Sequence, residues 1–379
     1  MNTIFRPLLV MVLANLLCGC EGLQLDRTFK IGLEGWATLG GSSTRTNESS
    51  SMLKPPLREI WQYDARSGIT ASPLVRDSLV AICTLKGQLH VVNGKTGKRI
   101  GYISVDGAVT GTPVWNGTDL YIPISTGDEL IESIDIQNGS KNWSAKFGQC
   151  ESSPLFYQKN LYVTSLNGML YCLNRTNGNE IWKYQTAGED VQEPIRSSPA
   201  ADSNLVIFGC DDGIVYAVDA TTGHDVWKFK ADQSIFASPI VTERRVIVGS
   251  LDGTVYCLWA LTGKLDWSYN AHSRVYGAAS ANDSLAFVGT ADGNCYALRL
   301  QDGTIAWRFQ AQSVINCAPL VTTNLLYVGS LDRNLYALDV QSGKEIWHYE
   351  APGRIKVSPV IWNGMLLVTS EDSYVTALK

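Results

Sequence analysis

An Asp-Gly pair, a Gly ten residues later and a Trp four residues beyond that recur along this chain every forty residues: Asp212-Gly213, Gly223 and Trp227; Asp252-Gly253, Gly263 and Trp267; Asp292-Gly293, Gly303 and Trp307. Gly343 and Trp347 continue the series. A period of that length confines the chain to stacked copies of one supersecondary unit. Outward from these copies, a Pro-containing step at Pro73, Pro113, Pro154, Pro199, Pro239, Ala279, Pro319 and Pro359 marks eight units, and only the Pro154 to Pro199 interval, at 45, departs much from forty.

The fifth copy shows what a unit is. Four strand-length runs, Ile235 to Val241, Arg245 to Ser250, Thr254 to Ala260 and Leu265 to Asn270, are rich in β-branched and aromatic residues and bounded by turn residues. Asp252-Gly253 and Thr262-Gly263 supply the positive φ of tight hairpins. The third run is apolar on both faces (Val255, Tyr256, Cys257, Leu258), as in a sheet sandwiched between neighbours. Four-stranded antiparallel units of this size, arranged radially, predict an all-β, eight-bladed β-propeller. A superhelical solenoid is the other option, but its units are usually helical or single-stranded.

The ends predict how the ring closes. The last unit stops after three strands, between Ser358 and Leu378, while Leu57 to Tyr63 (Leu-Arg-Glu-Ile-Trp-Gln-Tyr) matches Lys344 to Tyr349 and precedes the first complete unit. This N-terminal strand, with Trp61, is expected to pair into the last blade and remove the open edges.

The repeat makes 57–379 one domain, preceded by a leader at 1–19 and a Ser/Thr-rich polar tether at 20–56. Met1 to Arg6 is basic, Pro7 to Leu17 is apolar and too short to span a bilayer, and Leu17-Cys18-Gly19-Cys20 follows. The four-residue stretch resembles the bacterial lipobox, although Cys18 stands where Ala or Ser is commoner. The resemblance implies acylation of Cys20, a signal peptide ending at residue 19 and, with Glu21 rather than Asp next, an outer-membrane anchor facing the periplasm. An ordinary cleaved signal peptide is the alternative.

A net charge of −5 without a long Lys/Arg run gives no reason to expect nucleic acid as a partner. Four His residues lie scattered over different units, so a His-built metal centre is not expected. Beyond Cys18 and Cys20, seven cysteines remain, an odd number, and Cys172 and Cys257 stand where other copies carry Ala217, Ala297 and Ala337; they read as small core residues. The Asp-Gly turns lack the downstream Glu of a calcium loop, and no Ser sits in a nucleophile elbow.

Ala337-Leu-Asp339-Val-Gln-Ser-Gly343-Lys344-Glu345-Ile-Trp347 resembles the tryptophan-docking motif of the pyrroloquinoline-quinone (PQQ) type propellers, and Ala217 to Trp227 is a second close match. The resemblance runs over all eight units. It implies that Trp61, Trp143, Trp182, Trp227, Trp267, Trp307 and Trp347 lie flat between blades, each covering the turn of the next. Two functional classes share this repeat. Quinoprotein dehydrogenases hold PQQ and Ca²⁺ at the channel mouth, commonly under a vicinal Cys-Cys disulfide and with long insertions; this chain has no adjacent cysteines and one five-residue excess near 187–195. The lipobox, blade number and lean length resemble instead the non-enzymatic outer-membrane assembly lipoproteins (BamB). That implies a monomeric scaffold without cofactor, whose partners are periplasmic or outer-membrane proteins of the barrel-assembly machinery. A ligand-sensing propeller is a third class.

Three residues before each Pro step, a ring of variable residues is expected at the channel mouth: Thr70, Thr110, Glu151, Arg196, Phe236, Tyr276, Asn316 and Lys356. In a quinoprotein, Arg196 and Lys356 would clamp an anion while Glu151 and Asn316 resemble metal ligands. The preferred reading is a solvated mouth where packing fixes nothing.

Overall fold

Each of the eight units folds into an antiparallel four-stranded sheet whose strands follow one another outward from a central channel, and the sheets form an eight-bladed propeller. The computed structural model describes residues 22–23, 25, 35–186 and 192–379; the expected leader, Cys20 and part of the enlarged junction lie outside them. Blades 1 to 7 comprise 74–104, 114–145, 155–185, 200–230, 240–270, 280–310 and 320–350. Blade 8 takes its three inner strands from 360–378 and its outer one from Glu59–Asp64, with Trp61 opposite Ala377 and Tyr63 opposite Val375. The expected closure is therefore made.

The second and third strands of each blade are buried on both faces; Thr254–Trp259, for example, hides Val255, Tyr256, Cys257 and Leu258. The core is laminated, because each hydrophobic cluster draws on adjoining blades. Phe287, Cys295 and Ala297 of blade 6 pack with Val321, Leu326 and Val328 of blade 7. All seven described cysteines are buried and unpaired, and burial pushes the Cys257 thiol up to about 12, so they serve as small apolar side chains.

The docking tryptophans lie over positive-φ glycines of the following blade: Trp61 on Gly97, Trp143 on Gly178, Trp182 on Gly223, Trp227 on Gly263, Trp267 on Gly303 and Trp307 on Gly343. Five of these indoles also donate Nε1–H to a carbonyl three residues before the glycine, as Trp227 does to Ala260 O at 2.7 Å. Trp347 departs from the expectation. Blade 8 has no continuous turn between its third and outer strands, so Trp347 has no glycine to cover; it lies half-buried, stacked on Tyr349.

Two expectations are corrected. The innermost strands are shorter than the apolar runs: blade 5 begins at Ile240, after Pro239, and Ile235 to Ser238 form loop at the channel mouth. Proline lacks an N–H for the ladder, and the strands crowd near the axis. The described part of 20–56 is also no free tether. Leu23, Trp36 and Leu53 are buried against the blades, and Gly35–Trp36 adds a fifth strand to blade 1, pairing with Val75 and Arg76.

Candidate functional site

The inner strand of a propeller blade has a hydrogen-bonding partner on one side only, so its channel-facing N–H groups need acceptors. Here residues 35–49 supply them. Ala37 O accepts from Trp115 N–H of blade 2, Ser43 O from Ala201 of blade 4, Thr44 O from Val241 of blade 5, Thr46 O from Ala281 of blade 6 and Asn47 O from Val321 of blade 7, all at 2.8–3.0 Å. Ser49 N–H donates back to Val321 O at 2.9 Å. The Ser/Thr-rich segment thus arcs across one end of the channel and stitches the blades together. Arg45 and Asn47 take left-handed φ values of 58° and 54°, which turn the chain along this arc.

Arg45 stands at the centre of the plug and is 2% exposed. Its guanidinium donates to Pro199 O at 2.5 Å, Ser153 O at 3.0 Å and Pro154 O at 3.2 Å, which ties blade 3 to blade 4. Burial lowers its pKa to about 9, which leaves it charged at neutral pH. Carbonyl dipoles, not a carboxylate, offset that charge. Asn47 Nδ2 reaches Ala318 O and Pro319 O of blade 7.

Above the plug lies a cavity of about 290 Å³. Thr70, Thr110, Glu151, Phe236, Tyr276, Asn316 and Lys356 line it, with Arg45 and Asn47 as its floor. Arg196, the eighth ring position, turns into the wall: it pairs with Asp211, approaches Glu151 at 3.4 Å and lies over the Phe236 ring at 5.3 Å. Lys356 is paired with Glu371, whose carboxyl is held below its usual range: burial opposes this, and bonds from Lys356 and Arg354 outweigh it.

The ring does not fit a quinone and calcium site. The two cations expected to clamp an anion are already neutralised by carboxylates of the chain. Glu151 of blade 3 and Asn316 of blade 7, the expected metal ligands, lie four blades apart on opposite walls. Among the described residues, no three His, Cys, Asp or Glu side chains cluster.

Two features of the site go beyond what the repeat predicts. One is a belt of hydroxyls immediately before the Pro step: Ser72 N–H donates to Thr112, Thr112 to Ser153, Ser153 to Ser198 and Ser198 to Ser238, at 2.8–2.9 Å, each bond crossing to the next blade. The recurring Ser/Thr-Pro step carried that signal, and it stops where Ala278 and Ala318 replace Ser. The other is the plug, whose only sequence sign is an isolated Arg45 within a Ser/Thr run.

The chain matches the family model of the outer membrane protein assembly factor BamB over residues 56–209, 211–325 and 314–379. BamB of Yersinia pestis is 22% identical over 217 residues, 50% of this chain and 55% of that protein. A tetrathionate hydrolase of Acidithiobacillus ferrooxidans is 28% identical over 122 residues, 31% of this chain and 24% of the hydrolase. These matches span about half and about a quarter of those relatives. Among solved structures, BamB from Moraxella catarrhalis superposes with a TM-score of 0.73 at 18% identity, covering 85% of this chain and 99% of that one. A quinohemoprotein alcohol dehydrogenase from Comamonas testosteroni superposes at 0.79 with 13% identity, covering 91% and 80%, which shows the shared propeller alone. With its family model matched across nearly all of the propeller, the chain belongs to the outer membrane protein assembly factor BamB family.

Proposed function

We propose that this protein is a non-enzymatic scaffold of the cell envelope that holds proteins of the outer-membrane β-barrel assembly machinery, and that acylation of Cys20 anchors it to the outer membrane from the periplasmic side. The family match over the whole propeller carries this reading. The surface supports it. The outer strand of each blade leaves one edge unpaired, and exposed aliphatics sit beside the docking tryptophans on several of them: Ile60, Ile181, Val226 and Ile346 are 46–51% exposed. An open edge with such residues suits addition of an extended strand, in which main-chain bonds give affinity and side chains give specificity. At the channel, by contrast, the ring's cations are engaged by the chain's own carboxylates.

Cross-linking of the purified protein to a reconstituted barrel-assembly complex tests the proposal. The expected result is a specific cross-link at one or more outer strands, weakened by Ile181→Glu with Val226→Glu. Stoichiometric PQQ and Ca²⁺ binding with dye-linked alcohol oxidation would instead establish a dehydrogenase.

A further inference from the structure

One joint of the propeller lacks its tryptophan. In blade 4 the docking Trp227 pairs opposite Ala217; in blade 1 the corresponding pair is Gly101 opposite Val91. The turn that such a tryptophan would cover in blade 2 is nevertheless built as in the other blades, with Gly139 at φ 72°. The vacancy is filled by a residue from far upstream. A Cβ placed on Gly101 would come within 2.9 Å of Leu23 Cα, and one on Gly139 within 3.1 Å of Leu23 O and 3.2 Å of its Cβ. Leu23 is 1% exposed and packs with Val91, Ile136 and Ile103. Leu25 N–H donates to Gln137 O at 2.8 Å, a carbonyl one residue from the one that an indole takes at the other joints. A short segment of the N-terminal region thus performs both tasks of the absent indole, covering the glycine and satisfying a turn carbonyl.

We propose that this wedge fixes the propeller's orientation on the membrane, with the joint between blades 1 and 2 facing the bilayer. The inference rests on the reading of Cys20 as the acylated residue. Leu23 is three residues beyond Cys20, and three residues reach at most about 10 Å when fully extended. A lipid at Cys20 therefore leaves no slack for the propeller to turn freely: the docked leucine holds the blade 1 and 2 rim against the headgroups, and the opposite blades 5 and 6 point away. Gly101 is then the counterpart of the anchor, since a tryptophan there would close the joint and release the segment.

Two measurements on the full chain test this separately. Docking is read by hydrogen exchange at the Leu25 amide in soluble Cys20→Ser protein: protection is expected, and Leu23→Asp should remove it by at least about tenfold. Coil-like exchange in the Cys20→Ser protein overturns the inference irrespective of any lipid. Orientation is read by energy transfer from a fluorophore at Asn138→Cys or Gln301→Cys to dye-labelled lipid vesicles carrying the acylated protein; the seven native cysteines are buried and stay unlabelled. Strong transfer from position 138 and weak transfer from 301 are expected, becoming equal with Leu23→Asp. Adding Gly101→Trp to Leu23→Asp should restore thermal stability without restoring the asymmetry, which separates a lost fold from a lost dock. Equal transfer in the otherwise unaltered acylated protein overturns the orientation, and absence of acyl mass on Cys20 overturns the anchor reading together with it.

Discussion

The Trp227 indole lies against Gly263 of the next blade so closely that a Cβ there would sit 2.6 Å from its Cδ2, while its Nε1–H donates to Ala260 O at 2.7 Å. The glycine answers two demands, a left-handed φ of 66° and room for the ring. Gly263→Ala should therefore destabilise the protein by about 2–4 kcal/mol in urea unfolding. Gly117 has a similar φ of 61° but nothing within 4 Å of its hypothetical Cβ. Gly117→Ala should cost only about 1 kcal/mol, from the backbone alone.

The Trp and Gly ladder was legible because it repeats: each copy reports the same contact, and Gly101 is a break in the period, whereas Trp347 keeps the period and loses its glycine only because a distant strand closes blade 8. The plug was not. Residues 36–49 occur once, carry no alternation and are polar, the composition of a linker. What holds them is the row of main-chain carbonyls facing inner strands that converge on an axis, a demand set by ring closure and invisible in local pattern. The ring from Thr70 to Lys356 could be located by the Pro ruler, and its partners stand at one fixed offset, Asp211 and Glu371 each 15 residues beyond Arg196 and Lys356. What the period does not state is that the intervening hairpin folds back and brings the two loops side by side.

Arg45 offers a sharper contrast. Its donors satisfy carbonyls of two blades and close the channel, so Arg45→Met should lose about 3–5 kcal/mol as several buried acceptors go unpaired. Arg45→Lys should recover at most about half of that loss, because a point cation cannot replace a planar fork that bonds three carbonyls at once. Chemical denaturation of both variants checks the order.

The ring above the plug should behave oppositely. Arg196 and Glu151 are each about two-fifths exposed, and such pairs contribute little in water. Lys356→Ala leaves Glu371 its bond from Arg354 and should change stability by less than about 1 kcal/mol. Arg196→Ala leaves the 10% exposed Asp211 without its cation and should cost about 1–3 kcal/mol. In both variants cross-linking to the assembly complex should be unaltered. A large loss of cross-linking in either variant would move the partner surface from the outer strands to the channel mouth.

His90 couples the closing strand to acidity. It is 6% exposed, between Tyr63 of the closing strand and Tyr102 of blade 1; Tyr63 Oη–H donates to Nδ1 at 2.8 Å, and Nε2–H faces Gln88 Oε1 at 3.3 Å. Burial, reinforced by the positive charge of Arg99, lowers its pKa from 6.5 to about 4. The folded state therefore holds His90 neutral between these values while the unfolded chain binds a proton. Stability contributed by the neutral ring is complete above pH 6.5 and is lost as the pH falls toward 4, by up to about 3 kcal/mol. His90→Phe removes the titration but keeps an aromatic ring against Tyr102, so its melting temperature should be lower than that of the parent at pH 7 and fall less steeply between pH 6.5 and pH 4. Parallel slopes for the two proteins across that window would show that His90 carries none of the acid sensitivity.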